Sequence, residues 1–222
     1  MKVLLINGSP RREGNTFIAL SEAARALEAE GVGEEIVSIG TKAVQGCIAC
    51  GKCAELGRCV FNDALYNEVR EKLVGADALV VGSLVYYAGP NGSLCALLDR
   101  LFYSCSDRLA YKPAAAVAVC RRGGASATFD RLNKYFTISN MPVVSSQYWN
   151  SVHGRLPGEA GRQIPLLPVE LQCLTDSNFS SFFYLIKSNI ISQQKSLKFN
   201  HSFICIQITK NVYRKDTNPF CI

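Results

Sequence analysis

The chain has 222 residues, 48% of them hydrophobic, and a formal net charge of +6. That length suits about one core-bearing domain plus an extension, and no apolar run reaches the roughly 18 residues of a membrane-spanning helix. Residues 1–160 hold 17 Lys and Arg against 15 Asp and Glu, a near balance that argues against a nucleic-acid groove.

Lys2 leads straight into a strand and then into polar NGSPRREGN, so the N-terminus does not read as a signal peptide. The expectation is a cytoplasmic chain with no nucleic-acid and no membrane partner. In that compartment ten cysteines point to metal or redox chemistry rather than to disulfides.

The first stretch, Lys2–Asn15, runs from an apolar strand (Val3, Leu4, Leu5, Ile6) through Gly8, Ser9, Pro10, Arg11, Arg12 and Gly14. Asn15 and Thr16 then open a helix as cap residues. Such a junction aims backbone N–H groups and a positive helix end at one place, which suits a phosphate. The loop lacks the Gly-Lys-Ser/Thr ending of a Walker A motif and the spacing of the dinucleotide fingerprint. What is left is a cradle of Ser, Thr, Asn and Arg; an ordinary strand-to-helix turn fits the same residues.

Phe17, Leu20, Ala24 and Leu27 share one helical face, and Gly31 ends that helix. Glu35–Ile39 reads as a short strand, followed by a cysteine-rich loop over Gly46–Phe61. Leu65, Val69 and Leu73 mark a second helix, and Ala78–Val81 a buried strand ending at Gly82-Ser83. A loop then runs to about Gly92. Leu94, Leu97, Leu98, Leu101 and Phe102 form a strong amphipathic stripe. Ala114–Cys120 is another apolar strand, Ala127, Leu132, Tyr135 and Phe136 suit a fourth helix, and Met141–Ser145 a fifth strand.

Strand–helix alternation with apolar strands predicts an α/β fold: a doubly wound five-stranded parallel sheet covered on both faces. Ligands on such sheets bind at the carboxyl ends of the strands. Residues 1–160 form the expected domain. Residues 161–222 differ in kind: the first 160 residues contain 21 alanines and the rest none. They read as an atypical tail in place of the last helix, either frameshifted or disordered sequence or a genuine accessory arm. Phe203–Ile208 within it has the pattern of an edge or aggregating strand.

Two further loops face the first. Leu84, Val85, Tyr86 and Tyr87 stand beside Gly89 and Pro90 at one strand end, where aromatic rings can lie along a flat ring system or merely cover the sheet. Cys120, Arg121, Arg122, Gly123 and Gly124 offer backbone N–H groups and fixed positive charge, or form a solvated charged turn. A phosphate grip plus two loops flanking a planar polar heterocycle describes flavin mononucleotide (FMN).

On the stretches LLINGSPRREGNT, GSLVYYAGPNGSLCALLDRL, CRRGGASATFDRLNKYF and MPVVSSQYWNSVHG, the sequence resembles the flavodoxin-like NADPH-dependent FMN reductase family over about residues 1–158. The resemblance implies that Ser9, Arg11, Asn15 and Thr16 hold the phosphate. It implies that Leu84–Tyr87 and Cys120–Gly124 line the ribityl chain and isoalloxazine, with Trp149 either capping the ring or belonging to the core. Leu84 stands where the family usually has Pro, Ala64 where a second acidic residue often follows Asp63, and the family's final helix is missing past Gly158.

Cys47, Cys50, Cys53 and Cys59 are spaced C-x2-C-x2-C-x5-C. Four thiolates this close can converge on an iron–sulfur cluster; zinc also accepts four thiolates, and reduced thiols in a loop are the third reading. Lys52 and Arg58 are positioned in sequence to offset the thiolate charge. The pattern resembles that of the iron–sulfur flavoproteins, a branch of the same fold with a 4Fe–4S cluster near FMN. Cys95, Cys105 and Cys120 also read as core residues, and His153 as a surface or loop-packing residue. Asp99 reads as a helix-face charge paired with Arg100 or Arg108.

By this resemblance, NAD(P)H delivers electrons through FMN to a small acceptor such as a quinone or flavin, with no catalytic side chain because the flavin carries the chemistry. Two other readings stand beside it. One is an iron–sulfur flavoprotein relaying single electrons between a ferredoxin-like carrier and FMN. The other is a non-catalytic FMN-binding module. A homodimer is implied by the resemblance alone.

Overall fold

The computed structural model describes residues 1–144 and 151–163. Five parallel strands, β1 (Lys2–Asn7), β2 (Gly33–Ser38), β3 (Ala78–Tyr86), β5 (Ala114–Cys120) and β6 (Ser151–His153), lie in the order β2-β1-β3-β5-β6. A two-residue strand, β4 (Gly89–Pro90), folds back antiparallel on the end of β3. Strand order reverses direction between β1 and β3, as in flavodoxin-like sheets.

Side chains alternate across the sheet. Leu4 and Ile6 of β1, Leu79 and Val81 of β3 and Ala114, Ala116 and Ala118 of β5 enter one buried core. The same core takes residues from α3 (Ala64–Gly75), α4 (Gly92–Cys105) and α5 (Ala125–Ile138). Phe102 of α4 meets Tyr135 and Phe136 of α5 at ring distances of 5.3 and 6.3 Å, joining those helices. Helix α1 (Asn15–Ala29) buries Leu20, Ala23 and Leu27 against the sheet. It lies so close to β3 that a Cβ on Gly82 would come within 2.8 Å of Leu20 Cδ1 and 3.0 Å of Thr16 Cγ2.

The parallel five-stranded sheet agrees with the sequence reading, but three of its strands have other bounds. Strand β2 starts at Gly33, because its whole length follows β1 in register from Lys2↔Gly33 to Asn7↔Ser38. Strand β3 does not end at Gly82-Ser83. Ser83 and Leu84 pair with Ala118 and Val119, and Val85 and Tyr86 turn back onto Pro90 and Gly89. A Gly-Ser pair reads as a break, but here the glycine makes room for α1.

The fifth strand is Ser151–His153, paired with Ala118–Cys120; the expected Met141–Ser145 contributes only a bridge from Val143 to Ala114. Ser145 and Trp149 lie outside the described residues. A short helix, α6 (Glu159–Gln163), begins just past Gly158, where no helix was expected, and packs beside α1. The remainder of the tail, Phe203–Ile208 included, lies outside the described residues. No helix among the described residues is long and apolar enough to cross a membrane.

Candidate functional site

The loop after β1 is wound around Asn7, whose side chain is fully buried. Its amide oxygen accepts from Ser9 N–H at 3.1 Å, and its amide nitrogen donates to Ser38 Oγ at 3.0 Å. Ser9 is buried, with its hydroxyl oxygen accepting Arg11 N–H at 3.2 Å. Arg11 and Arg12 are exposed. Gly14, not Asn15, caps α1, and it supplies no side-chain hydrogen bond to the first turn. The first-turn N–H groups of α1, with their share of the helix dipole, therefore stay available to an anion beside Arg11. Gly14 abuts Arg11, since a Cβ there would lie 3.0 Å from Arg11 Cβ.

Asn15 and Thr16, expected at the phosphate, are the first two residues of α1. Asn15 Nδ2 donates to Leu156 O at 2.9 Å and its Oδ1 accepts Ala160 N–H at 3.2 Å, so this amide ties the segment after β6 to α1. Thr16 is the second residue of α1 and its side chain is buried over Gly82.

The three loops form one surface because they are bonded to each other. Gly8 N–H donates to Gly82 O at 2.8 Å, and Asn91 Nδ2 donates to Gly8 O at 2.8 Å. Asn91 also accepts Ser93 N–H, so it caps α4 while holding the first loop to the second. The second and third loops touch at Gly124 (φ 89°), where a Cβ would lie 2.9 Å from Ala88 Cα and 3.1 Å from Val85 Cγ1.

The hairpin between β3 and β4 turns on Tyr87 and Ala88, both left-handed at φ 49° and 58°. Two positive φ values make the tight hairpin whose twist suits flanking strands; Asn and Gly usually fill it, and non-glycine residues there carry strain. Leu84 and Val85 are half-buried strand residues, not loop residues. Tyr86 is half exposed and Tyr87 stands fully in solvent.

After β5, Arg121, Arg122 and Gly123 are exposed at the start of α5, whose first turn also lacks a side-chain cap. Cys120, expected as a lining residue, is the last residue of β5 and 1% exposed. Burial pushes its thiol pKa up, and only its carbonyl reaches outward, to Gly154 N–H at 3.0 Å.

The cysteine loop lies beside α4. Cys47, Cys50, Cys53 and Cys59 all line one cavity of about 140 Å³, walled on one side by Tyr103 and Arg100. Two of the sulfurs already accept hydrogen bonds: Cys47 from Ala49 N–H at 3.4 Å and Cys59 from Arg100 Nε at 3.3 Å. The four sulfurs share the cavity without being gathered on one point; among the described residues no three Cys, His, Asp or Glu stand close enough to hold an ion. Cys47 and Cys50 are exposed in irregular chain and Cys53 opens a four-residue helix, α2 (Cys53–Leu56), whereas Cys59 is buried. The donor set and the shared cavity fit a four-thiolate centre.

Lys52 and Arg58, expected as counter-charges, are exposed on the surface. The buried charge at the cavity is Arg100, 1% exposed, with its guanidinium carbon 4.6 Å from the Tyr66 ring centre. Arg100 bonds Asp63, Phe61 O at 3.0 Å and Gln45 O at 3.3 Å. Burial pushes the Asp63 carboxyl up, but the Tyr66 N–H and Arg100 outweigh it and hold it below its ordinary value. The expected Asp99–Arg100 pairing is absent because these neighbours point to different sides of α4: Asp99 accepts from Tyr135 and pairs with Arg131 at 3.6 Å. His153 is exposed, as expected.

Sequence reasoning missed Asn7, Asn91 and Arg100. Asn91 had a signal, an Asn just before an apolar periodic run. Arg100 had a weaker one: it follows Leu97 by three residues and so falls within the apolar stripe.

Residues 1–155 match the profile of the NADPH-dependent FMN reductase family. The chain belongs to that family. An iron–sulfur flavoprotein of Methanocaldococcus jannaschii is 35% identical over 167 residues, 72% of this chain and 86% of that protein. Among solved structures, RosB with bound 8-demethyl-8-formylriboflavin-5′-phosphate superposes with a TM-score of 0.66 at 14% identity, over 100% of this chain and 98% of that one. An archaeal flavodoxin gives 0.52 at 13% identity, over 86% of this chain and 99% of that one. These two likenesses establish the flavodoxin-like fold. Family membership makes the chain a flavoprotein of the FMN reductase type and supports FMN as the molecule for the three-loop surface.

Proposed function

We propose that the chain is an FMN-dependent oxidoreductase whose four-cysteine loop carries a 4Fe–4S cluster, relaying single electrons between a ferredoxin-like carrier and FMN. The observation that carries this reading is the cavity lined by all four cysteines, with a buried arginine bonded to one of their sulfurs. The iron–sulfur flavoprotein likeness supports it. Bound FMN exchanges electrons singly or in pairs and a cluster exchanges them singly, which is the chemistry such a relay needs.

The chain's own residues would bind and orient. Arg11, the buried Ser9 and the uncapped first turn of α1 offer charge and N–H donors to the phosphate. Tyr86, Tyr87, Arg121, Arg122, Gly123 and Gly124 border the space for the ring, with Leu84 and Val85 beneath as sheet. Asn15 also ties Leu156 and Ala160 to α1.

The family description favours a second reading, in which NAD(P)H is the donor and a quinone or flavin the acceptor. Protein purified without oxygen separates the two. The relay predicts flavin bands with broad absorption near the 400 nm region, four irons per chain, and reduction by ferredoxin faster than by NAD(P)H. Flavin without iron, reduced rapidly by NAD(P)H, would leave the second reading. Colourless protein that neither quenches FMN fluorescence nor melts higher with FMN would sink both. Homodimer formation belongs to the same proposal and is read by light scattering.

A further inference from the structure

We infer that Arg100 is the positioning residue of the four-cysteine site: one buried guanidinium staples both stems of the cysteine loop and gives a hydrogen bond to a ligand sulfur. This rests on the cluster reading above.

The loop leaves the body near Gln45 and returns near Phe61. Arg100 Nη1 donates to Gln45 O at 3.3 Å and Nη2 to Phe61 O at 3.0 Å, so one planar fork holds the two stems. Nε donates to Cys59 Sγ at 3.3 Å. Tyr66 completes the seat, its hydroxyl accepting Cys59 N–H at 2.9 Å and its ring lying under the guanidinium. Only arginine carries five donors in a rigid fork; lysine has three on a point charge. A buried cation is costly unless fully bonded, and here every guanidinium nitrogen has a partner.

The charge is unevenly placed. Arg100 touches the sulfur directly with its side chain wholly buried, whereas the Asp63 side chain is 45% exposed. Water screens the carboxylate more than the guanidinium, so the field at Cys59 is positive. A four-thiolate centre becomes more negative on reduction. Hydrogen bonds to sulfur and net local charge set its potential, so Arg100 favours the reduced form.

The test is anoxic loading of the full chain with ferric iron, a thiol reductant and sulfide, followed by iron counting and potentiometric titration. The set is wild type, Arg100→Lys, Arg100→Gln and Asp63→Asn. Arg100→Gln is expected to shift the cluster potential negative. Arg100→Lys is expected to keep the potential near wild type but to load less iron, because the stems lose their staple. Asp63→Asn is expected to shift the potential positive, since Arg100 loses its anion while asparagine still caps α3. If Arg100→Gln does not fold, the positive shift of Asp63→Asn decides the matter. Loaded Arg100→Gln and Asp63→Asn proteins with the wild-type potential would overturn the inference alone. A wild type that takes up no iron would overturn the cluster reading, and the inference with it.

Discussion

Gly8 is where the three-loop surface is most tightly joined, and Gly8→Ala tests that joint. The added Cβ would meet Gly82 O at 2.7 Å and Leu94 Cδ2 at 2.5 Å. Leu94 is fully buried and the carbonyl is backbone, so neither yields easily. Overpacking of this kind costs about 1–3 kcal/mol. The same displacement strains the Gly8 N–H bond to Gly82 O and the Asn91 bond to Gly8 O, each worth about 1 kcal/mol. The sum is at most about 3–5 kcal/mol, or roughly 6–20 °C of melting temperature for a domain of this size.

The assay is urea and thermal unfolding of the FMN-free chain, with FMN affinity from flavin fluorescence quenching. Gly75→Ala is the control: nothing lies within 4 Å of its Cβ, it ends a helix, and its stability should hold or rise slightly. FMN affinity should fall in Gly8→Ala and not in the control. A Gly8→Ala protein as stable as the control would show that the first and second loops are not packed as described.

Asn15→Ala should lose about 1–2 kcal/mol through its bonds to Leu156 O and Ala160 N–H, with faster hydrogen exchange at Ala160; unchanged stability would refute this tie. Burial, and then the hydrogen bond to Asp99, push the Tyr135 pKa well above its ordinary value. The unfolded chain ionises first as pH rises, so stability present below about pH 10 is lost above it, and Tyr135→Phe should show a flatter alkaline decline; identical curves would refute this. Arg122→Ala should lower the flavin midpoint potential by removing positive charge beside the ring, and an unchanged midpoint would remove Arg122 from the site. Adding FMN at about 100 times its dissociation constant should raise stability by about 2.7 kcal/mol, and the gain should vanish when FMN is removed.

The sequence by itself determined the fold class and set the three candidate loops at the carboxyl edge of the sheet. Apolar strands such as Ala114–Cys120 and the stripe from Leu94 to Phe102 follow from local periodicity, which residue order records directly. Loop chemistry at three strand ends and the four-cysteine spacing were equally local. Tertiary structure decided what depends on partners distant in sequence. Ser83–Tyr86 is strand because β5 lies alongside it, and Ser151–His153 is the fifth strand because Ala118–Cys120 offers the open edge. Asn15 spends its amide on residues more than 140 positions away. Arg100 is a buried cation because Gln45, Cys59, Phe61 and Asp63 converge on it. A hydrogen-bond donor's partner is set by proximity in space, and no period or composition encodes that.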